Sequence, residues 1–248
     1  FTPFLYAIRE REAILNIFEK VCGARLMYSY YDIGGVKWDI PPDAMEEIRL
    51  FVKLFPKKLD EYNALLTENK IFVERTADVG LIDAETAIAY GCTGPVLRGA
   101  GVDWDLRRDE PWGIYDRFDF KVAIGEGTKG TLGDCWDRYW VRMVEMEQSI
   151  RIIEQALEMM PQDGEVMAKM PRTLKIAPGE IFVRTECPKG EMGFHIISDG
   201  GPEPFRCKTR SPAFHNLHVI EKVGEGQMIS DLAATIGSLD LVLGEIDR

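Results

Sequence analysis

The sequence has few of the residues that commonly bind metals, and those it has are scattered. Its five cysteines, Cys22, Cys92, Cys135, Cys187 and Cys207, occur singly, and no CxxC pair is present. Because iron–sulfur clusters and structural zinc sites use closely spaced cysteines, the sequence predicts no metal site of its own. An odd number of cysteines in an acidic chain without a secretion signal favours a reducing compartment, in which we expect buried, free thiols.

Histidine is scarcer still, and basic residues are outnumbered by acidic ones. Of the three histidines, His215 and His218 have a ligand-like spacing, whereas His195 lies in a strand pattern and is assigned no chemistry. No carboxylate or thiol stands at a matching interval, so polar packing is the preferred interpretation of the pair. The formal net charge of −11 argues against nucleic acid as a partner and against direct adsorption to anionic lipid.

The sequence also lacks long apolar runs and the common nucleotide-binding motifs. No run of eighteen or more apolar residues is present, and charges appear early, so neither a membrane span nor a signal peptide is predicted. A free-standing soluble enzyme is not supported, because no P-loop, GxGxxG before a helix or Ser/His/Asp ordering is found. The chain begins at Phe1 in the lead-in to a helix, and we expect its natural N-terminus to lie upstream.

Apolar periodicity and proline placement predict helices at the start of the chain. A helix is expected from Thr2 to about Val21, with proline in its first turn and glycine beyond its end. A second helix is expected to begin at Pro42 and to break near Pro56, because proline removes a backbone hydrogen bond.

The clearest helical pattern runs from Asp134 to Met160 and stops at Pro161. Its apolar residues alternate spacings of four and three: Tyr139, Met143, Met146, Ile150, Ile153, Leu157 and Met160. This repeat of 3.5 residues predicts a narrow apolar seam of the kind found in helix bundles. The methionines could line a ligand pocket, but a bundle core is the preferred interpretation.

Two further regions complete the predicted fold. Residues 92–130 are rich in glycine and predict a long ordered connection, which in compact domains tends to be functional. Residues 179–210 predict three antiparallel strands, and a final helix is expected from about Gln227. The predicted fold class is therefore mainly α (α+β), a helical bundle with a small antiparallel β insert. We expect one domain, with a helical core over about 1–160 and 211–248 and the insert over about 179–210.

The last twelve residues, GSLDLVLGEIDR, set carboxylates among apolar side chains. Asp240, Glu245 and Asp247 alternate there with leucine, valine and isoleucine. Carboxylates in apolar walls are costly unless they are paired, and their proton affinity shifts when they are. Two interpretations stay open: a packed end with perturbed carboxylates, and an amphipathic final helix with solvated acids.

Six segments, in order and over nearly the whole chain, carry a family resemblance. They are TPFLYAIRERE (Thr2–Glu12), YDIGGVKWDIP (Tyr31–Pro41), TGPVLRGAGVDWDLRRDEPW (Thr93–Trp112), GDCWDRYWVRMVEMEQSIRIIEQAL (Gly133–Leu157), the stretch Gly179–Asp199, and GSLDLVLGEIDR (Gly237–Arg248). They resemble the D subunit of proton-pumping NADH-quinone oxidoreductase (respiratory complex I), which is related to the large subunit of nickel–iron hydrogenases. Hydrogenase large subunits hold their metals with two CxxC pairs. Their absence points to the quinone-reactive branch, with a hydrogenase-large-subunit-like bundle.

The resemblance implies a quinone-site subunit of a membrane-bound NADH-quinone oxidoreductase. Such a subunit passes electrons from a partner's iron–sulfur cluster to quinone, coupled to proton translocation. The implied partners are the small iron–sulfur subunit with the terminal cluster, other hydrophilic-arm subunits and the membrane arm. Quinone is the substrate, this chain binds no cofactor alone, and the location is peripheral, on the cytoplasmic side of the plasma membrane. The alternatives are a metal-free hydrogenase-like scaffold and the same subunit in a ferredoxin- or deazaflavin-driven quinone reductase.

The resemblance also assigns roles to individual residues. Asp240, Val242 and Arg248 match positions that the family places near quinone, while Arg25 and Tyr28 match positions near the partner's cluster. The family's headgroup ligands belong to N-terminal motifs that we expect upstream of this chain, so no catalytic residue is assigned here. The family often has histidine where Tyr28 stands. Because tyrosine takes up no proton at neutral pH, we expect a partner cluster of lower and less pH-dependent potential.

Overall fold

The structure is a computed structural model that describes residues 2–161, 163–171, 174 and 176–247. Contacts divide the chain into two compact units. Unit 1 comprises Phe1–Leu66 and Ser149–Leu174, and unit 2 comprises Thr67–Gln148 and Lys175–Arg248.

The two largest elements of unit 1 are long helices. Helix α1 spans Thr2–Cys22 and helix α2 spans Pro42–Tyr62, followed by a π-helical segment, Asn63–Thr67. The prediction for the first helix is confirmed to within one residue. The chain leaves it at Gly23, whose φ of 72° favours glycine.

The predicted break near Pro56 is wrong, because α2 continues through this residue. Proline removes one backbone hydrogen bond and costs about 3 kcal/mol in a helix interior. The side chains of Val52, Leu59 and Tyr62 are buried on both sides of it. Their burial holds the two halves of the helix in place despite the proline.

A short hairpin joins the two helices of unit 1. Strand β1, Tyr31–Asp32, pairs antiparallel with strand β2, Gly35–Val36. The cluster under it contains buried Ile17, Val21 and Ala44, with partly buried Cys22, Tyr30, Ile40, Ile48 and Phe51 packed against them. The connection before the hairpin leaves apolar side chains in solvent, and Met27 is fully exposed.

Unit 2 opens with short helices. They are α3 (Lys70–Thr76), α4 (Ala84–Ala89), α5 (Pro95–Gly99) and α6 (Leu106–Asp109), followed by a 3-10 turn, Tyr115–Arg117. Side chains cap several of them, since Asp83 accepts a hydrogen bond from the Thr86 N–H at the start of α4. The connection predicted over residues 92–130 therefore contains two of these helices and the 3-10 turn.

The longest helix, α7, spans Cys135–Met159, and the division between the units falls within it. This agrees with the predicted helix, and the Asp134 side chain accepts from the Asp137 N–H at its start. The seam is wider than predicted near that start, because Trp136 and Arg138 are buried as well as Met143. Arg138 can be buried there because backbone carbonyl groups accept its hydrogen bonds.

The predicted β insert is confirmed as a three-stranded antiparallel sheet in the order β3-β4-β5. Strand β3 is Gly179–Cys187, β4 is Gly190–Ser198 and β5 is Arg206–Arg210. The register pairs Cys187 with Gly190 across the first turn. The fold class, mainly α with a small antiparallel insert, is therefore confirmed.

Four helices close the chain: α8 (Pro212–His218), α9 (Ile220–Val223), α10 (Ile229–Leu239) and α11 (Leu243–Ile246). The single final helix that we predicted is interrupted at Asp240. The core of unit 2 consists of Ile82, Ala87, Cys92, Val96, Leu97, Ala100, Val219, Val223 and Leu239. Among the described residues, no helix has the length and apolar character needed to cross a bilayer.

Candidate functional site

Asp240 ends helix α10 in the left-handed backbone conformation, with φ 54° and ψ 53°. Its N–H donates to the Gly237 carbonyl oxygen at 3.2 Å, which closes the last turn of the helix. Aspartate tolerates this conformation better than most residues with a Cβ atom. The chain therefore turns at Asp240 and leaves 43% of its side chain exposed.

Two cations meet the Asp240 carboxylate. Its Oδ2 atom accepts a hydrogen bond from Lys189 Nζ and lies 3.5 Å from Arg142 Nε. Lys189 comes from the turn between β3 and β4, and Arg142 comes from α7. Three elements thus bring one carboxylate and two cations together at the C-terminal turn.

Arg142 is held at this site by its own helix. Its Nη1 group donates to the Arg138 carbonyl oxygen at 2.7 Å, while its buried Nε group has no hydrogen-bond acceptor among the described residues. Burial lowers the pKa of Arg142, and the charges of Asp240 and Glu145 partly offset this effect. Arg142 therefore faces Asp240 as an ion-pair partner, at 3.5 Å, without a hydrogen bond from its Nε group.

Arg138 fastens the tail to the rest of unit 2. Its side chain is fully buried, and it donates to the carbonyl oxygens of Gly133 and Gly80, both at 2.7 Å. Its Nε group donates to Ser238 Oγ at 2.9 Å, two residues before Asp240. The position of the C-terminal turn is thus fixed by a buried arginine.

The turn that carries Lys189 is fixed from the opposite side. Asn216 of α8 donates from Nδ2 to the Lys189 carbonyl oxygen at 3.2 Å and accepts from the Thr93 N–H at 3.1 Å. Gly94 and Gly190 approach so closely that a Cβ atom on either one would clash with the other. The TGP segment therefore provides the docking surface for the hairpin turn.

A second group of charges lies behind the hairpin, centred on Arg98. This arginine is almost fully buried, and it donates to Glu186 Oε1 at 2.9 Å and to Glu145 Oε1 at 2.5 Å. It also lies 3.4 Å from Asp105 Oδ2, whose carboxylate accepts from Arg107 Nε and Nη2. We call these five residues the Arg98 network.

Burial and pairing act in opposite directions on the pKa values of this network. Burial tends to lower the pKa of Arg98, but its carboxylate partners more than compensate, so that it is raised. Burial tends to raise the pKa of Asp105, yet Arg107 and Arg98 bring it below its usual value. For Glu186, burial outweighs the attraction of Arg98, and its pKa is raised. Glu186 thus binds a proton more readily than an ordinary glutamate, whereas Asp105 binds one less readily than an ordinary aspartate.

The remaining predicted residues of the tail differ in their surroundings. Val242 is 39% exposed and precedes α11. Glu245 is paired, since its Oε2 atom accepts from Ser211 Oγ at 3.0 Å and from the Ala213 N–H at 3.3 Å. Arg248 lies outside the described residues. Asp240 and Glu245 are therefore both paired, although Asp240 is only half buried.

Arg25 and Tyr28 belong to unit 1. The Arg25 guanidinium pairs with Glu12 at 2.5 Å and with Glu19 at 3.0 Å, both on α1. The Tyr28 ring packs on Phe18, with 4.6 Å between the ring centroids. Both residues thus border the exposed connection before the first hairpin.

The other predicted sites have local partners. His215 Nδ1 lies 2.9 Å from the Ser211 carbonyl oxygen, and His195 Nε2 lies 2.6 Å from Glu180 Oε1. In the part of the chain that the structure describes, no group of three or more His, Cys, Asp or Glu residues could hold a metal ion.

The thiols are not uniformly buried. Cys92 is buried, and this raises its pKa to about 11. Cys207 is exposed, which corrects the prediction of buried thiols for this residue. It lies on β5, an edge strand of the three-stranded sheet.

Sequence reasoning missed Lys189, Arg142 and Arg138. Lys189 lies in a hairpin turn, where an exposed lysine is ordinary, so nothing in the pattern marked it. The two arginines did carry a signal. They stand four residues apart on a predicted helix among apolar neighbours, which places them on one face of that helix.

The fold is mainly helical and presents a carboxylate and two cations at a C-terminal turn. Comparison with known proteins shows the family to which the chain belongs. The whole chain, residues 1–248, matches the family described as respiratory-chain NADH dehydrogenase, 49 Kd subunit. The chain belongs to this family.

Proteins named as the D subunit of NADH-quinone oxidoreductase are similar to it over 246 residues. The identity is 48% for the protein of Bacillus cytotoxicus, 49% for that of Bacillus mycoides and 50% for that of Geobacillus thermodenitrificans. Each match covers 99% of this chain and 66% of the relative, so the chain spans just under two thirds of their length.

Proposed function

We propose that this chain is the quinone-site subunit of a membrane-bound NADH-quinone oxidoreductase. It would pass electrons from an iron–sulfur cluster on a partner subunit to quinone, in a reaction coupled to proton translocation. Family membership supports the general assignment. The observation that carries the quinone site is the meeting of Asp240, Lys189 and Arg142 at the C-terminal turn.

The chemistry of quinone suits this arrangement. Reduction to quinol takes two electrons and two protons, and negative charge develops on the quinone oxygens. Lys189 Nζ can donate a hydrogen bond to such an oxygen, and the positive charge of Arg142 lies next to it beside Asp240. Fixed positive charge in a partly buried site stabilises developing negative charge. The Asp240 carboxylate can accept a hydrogen bond from a quinol hydroxyl group or exchange its proton. Val242 and Leu243 add exposed apolar surface beside it.

The proposal extends to the partners and the location. The small iron–sulfur subunit with the terminal cluster would face the connection that carries Arg25 and Tyr28, where Leu26, Met27 and Tyr31 expose apolar surface. Other hydrophilic-arm subunits and the membrane arm complete the assembly, on the cytoplasmic side of the plasma membrane. Because a tyrosine stands where the family often has a proton-binding histidine, the potential of the partner cluster is expected to vary little with pH in the neutral range. A redox titration of the assembled complex with a steep pH slope would contradict this part.

The test of the quinone site is Asp240→Asn in the assembled membrane complex. Asparagine keeps the shape and tolerates the left-handed backbone, but it cannot exchange a proton at neutral pH. We expect quinone reduction to fall about a hundredfold, the low end of what a proton-exchanging group contributes. Reduction of an artificial acceptor upstream of quinone should stay unchanged.

Asp231→Asn is the matched control. Asp231 lies on the same helix and pairs with Arg75 at 2.8 Å, away from the proposed site. Its substitution should leave both activities unchanged. Equal loss of both activities in Asp240→Asn, or failure to assemble, would make the turn structural. Full retention of quinone reduction would place the quinone site elsewhere.

A further inference from the structure

Glu186 stands at the end of strand β3, three residues before Lys189. Its side chain is 4% exposed, and its two oxygens have different partners. Oε1 accepts from Arg98 Nη1 at 2.9 Å, and Oε2 accepts from the Leu106 N–H at 3.4 Å. The carboxylate therefore fastens the end of this strand to α5 and α6.

The charged groups around Glu186 come from every element packed against it. Arg98 contributes from α5, Asp105 and Arg107 from the start of α6, and Glu145 from α7. From β4, Glu191 stands opposite Glu186 and is itself paired with Arg184 and Arg210. Arg98 and Arg107 favour the charged carboxylate, and Asp105 opposes it. Glu186 thus lies between opposing influences, so that the gain or loss of one proton changes the balance of the Arg98 network.

Two connections run from Glu186 to Asp240. The first is the hairpin itself, in which Glu186 pairs with Glu191 and Cys187 with Gly190, enclosing the turn that carries Lys189. The second is electrostatic. Arg98 holds Glu145, Glu145 acts on Arg142, and Arg142 lies beside Asp240. The state of Glu186 can therefore reach both cations that meet Asp240.

We propose that Glu186 is a positioning residue that titrates: charged, it fastens the base of the hairpin turn to Arg98 and, together with Asn216 and the Gly94 contact, holds Lys189 against Asp240, and protonation weakens this hold. This inference rests on the proposed role of Asp240 in quinone reduction. No electron passes through Glu186. A proton binds its carboxylate from solvent and leaves the same way.

The direction of the pH effect follows from the surroundings of Glu186. Burial raises its pKa above the ordinary glutamate value, although Arg98 opposes the rise. Well above the raised pKa the carboxylate is charged and the turn is fastened. As the pH falls through that pKa, Glu186 takes a proton, its bond to Arg98 weakens and quinone reduction declines. The decline begins at a higher pH than an ordinary glutamate would give.

The test compares Glu186→Gln with Glu110→Gln in the assembled complex, across acidic and neutral pH. Like Glu186, Glu110 pairs with an arginine. Its partner is Arg184 of β3, and the pair lies at an exposed position. For Glu186→Gln we expect neutral-pH quinone reduction to drop severalfold, to the level of the wild-type complex at acidic pH, with no further decline on acidification. Glu110→Gln should keep the wild-type profile. Reduction of the artificial acceptor should be the same in all three.

Hydrogen–deuterium exchange gives a readout that does not depend on activity. The peptide that contains residues 187–190 should exchange faster in Glu186→Gln, and also in the wild-type complex at acidic pH after correction for intrinsic rates. The wild-type comparison decides the question if the glutamine variant fails to assemble. Two results overturn the inference. In the first, quinone reduction by Glu186→Gln declines at acidic pH as in the wild-type complex. In the second, the exchange protection of the turn does not change with pH.

The two proposals can fail separately. If the substitution or protonation of Glu186 changes the exchange protection of the turn but not quinone reduction, the proposed coupling to quinone reduction is wrong. Asp240→Asn, measured in the same preparation, then shows whether the quinone site itself is misplaced. If Asp240→Asn lowers quinone reduction but Glu186→Gln changes neither protection nor pH profile, the proposed function stands and Glu186 is only structural.

Discussion

The two units bury different kinds of side chain. In unit 1, as far as the structure describes it, the buried side chains are apolar or aromatic, such as Leu15, Val52 and Tyr62. Unit 2 contains every buried polar or charged residue among the described residues, and the Glu186 side chain, 4% exposed, belongs to it as well. The buried residues are Thr93, Arg98, Asp105, Asp134, Asp137, Arg138, Gln148, Glu191, Ser211, Asn216 and Thr235.

The ion pairs differ in the same way. Unit 1 carries surface pairs such as Lys20 with Asp43 and Arg25 with Glu19, whose side chains are between 36% and 67% exposed. In unit 2, Arg98 and Arg138 each satisfy several acceptors in the interior. Buried ions cost desolvation energy but tolerate only one arrangement of their partners. Unit 2 thus has the construction expected of a region that must hold charged groups at fixed positions.

The strongest test of this difference is Arg138→Met. Methionine keeps much of the volume but removes the charged donor to Ser238 Oγ and to the carbonyl oxygens of Gly80 and Gly133, of which only Gly133 keeps a second donor, the Ile82 N–H. Because three hydrogen bonds to a charged donor are lost and the buried Gly80 oxygen is left unsatisfied, we expect the free energy of unfolding to fall by about 3–5 kcal/mol. Urea unfolding of the chain, followed by circular dichroism, measures it. A loss below about 1 kcal/mol would mean that this buried arginine does not stabilise unit 2.

A smaller effect is expected at Ile150 on the apolar seam of α7, within unit 1. Ile150→Ala should lower the free energy of unfolding by roughly 2–3 kcal/mol, towards the low end for such truncations because its seam neighbours are half buried. Glu154→Ala, at an exposed position of the same helix, is the control. If the two variants match within about 0.5 kcal/mol, the seam does not contribute to stability.

The smallest effect is expected at the surface pairs of unit 1. Lys20→Ala removes the partner of Asp43 and Glu47, whose side chains are exposed. Water and salt screen such pairs, so the urea midpoint should not move measurably. If the urea midpoint moves as far as it does in Arg138→Met, the surface pairs of unit 1 stabilise the chain as much as the buried arginine of unit 2, which contradicts the difference proposed between the two units.

Sequence patterns predicted the helices and strands that are determined by residues close together in the chain. Helix α7 has periodic apolar residues and a proline beyond its end, and α1 has a proline in its first turn and a glycine after its end. The β insert has alternation and turn residues. The pattern failed at Pro56, where tertiary packing outweighs the cost of one lost hydrogen bond. It also failed at Asp240, whose left-handed conformation ends a helix that the apolar pattern alone would continue.

The candidate site was predicted only in part, because its members are far apart in the sequence. Asp240 entered through the family resemblance. Lys189, its hydrogen-bond partner, lies 51 residues away in a turn that no pattern distinguishes. Arg98 and Glu186 are separated by 88 residues. Such pairings arise from the fold, so neither spacing nor composition could reveal them.

The contact between Gly94 and Gly190 limits how sequences of this fold can change over time. A side chain at either position would push the hairpin turn off the TGP segment, and with it Lys189. Neither glycine can be replaced first, since the other already occupies the minimum space. Substitutions in this turn are therefore expected at the residues that flank the two glycines. Because these two backbone segments touch without side chains between them, the two positions must stay glycine together for Lys189 to keep its place in the site.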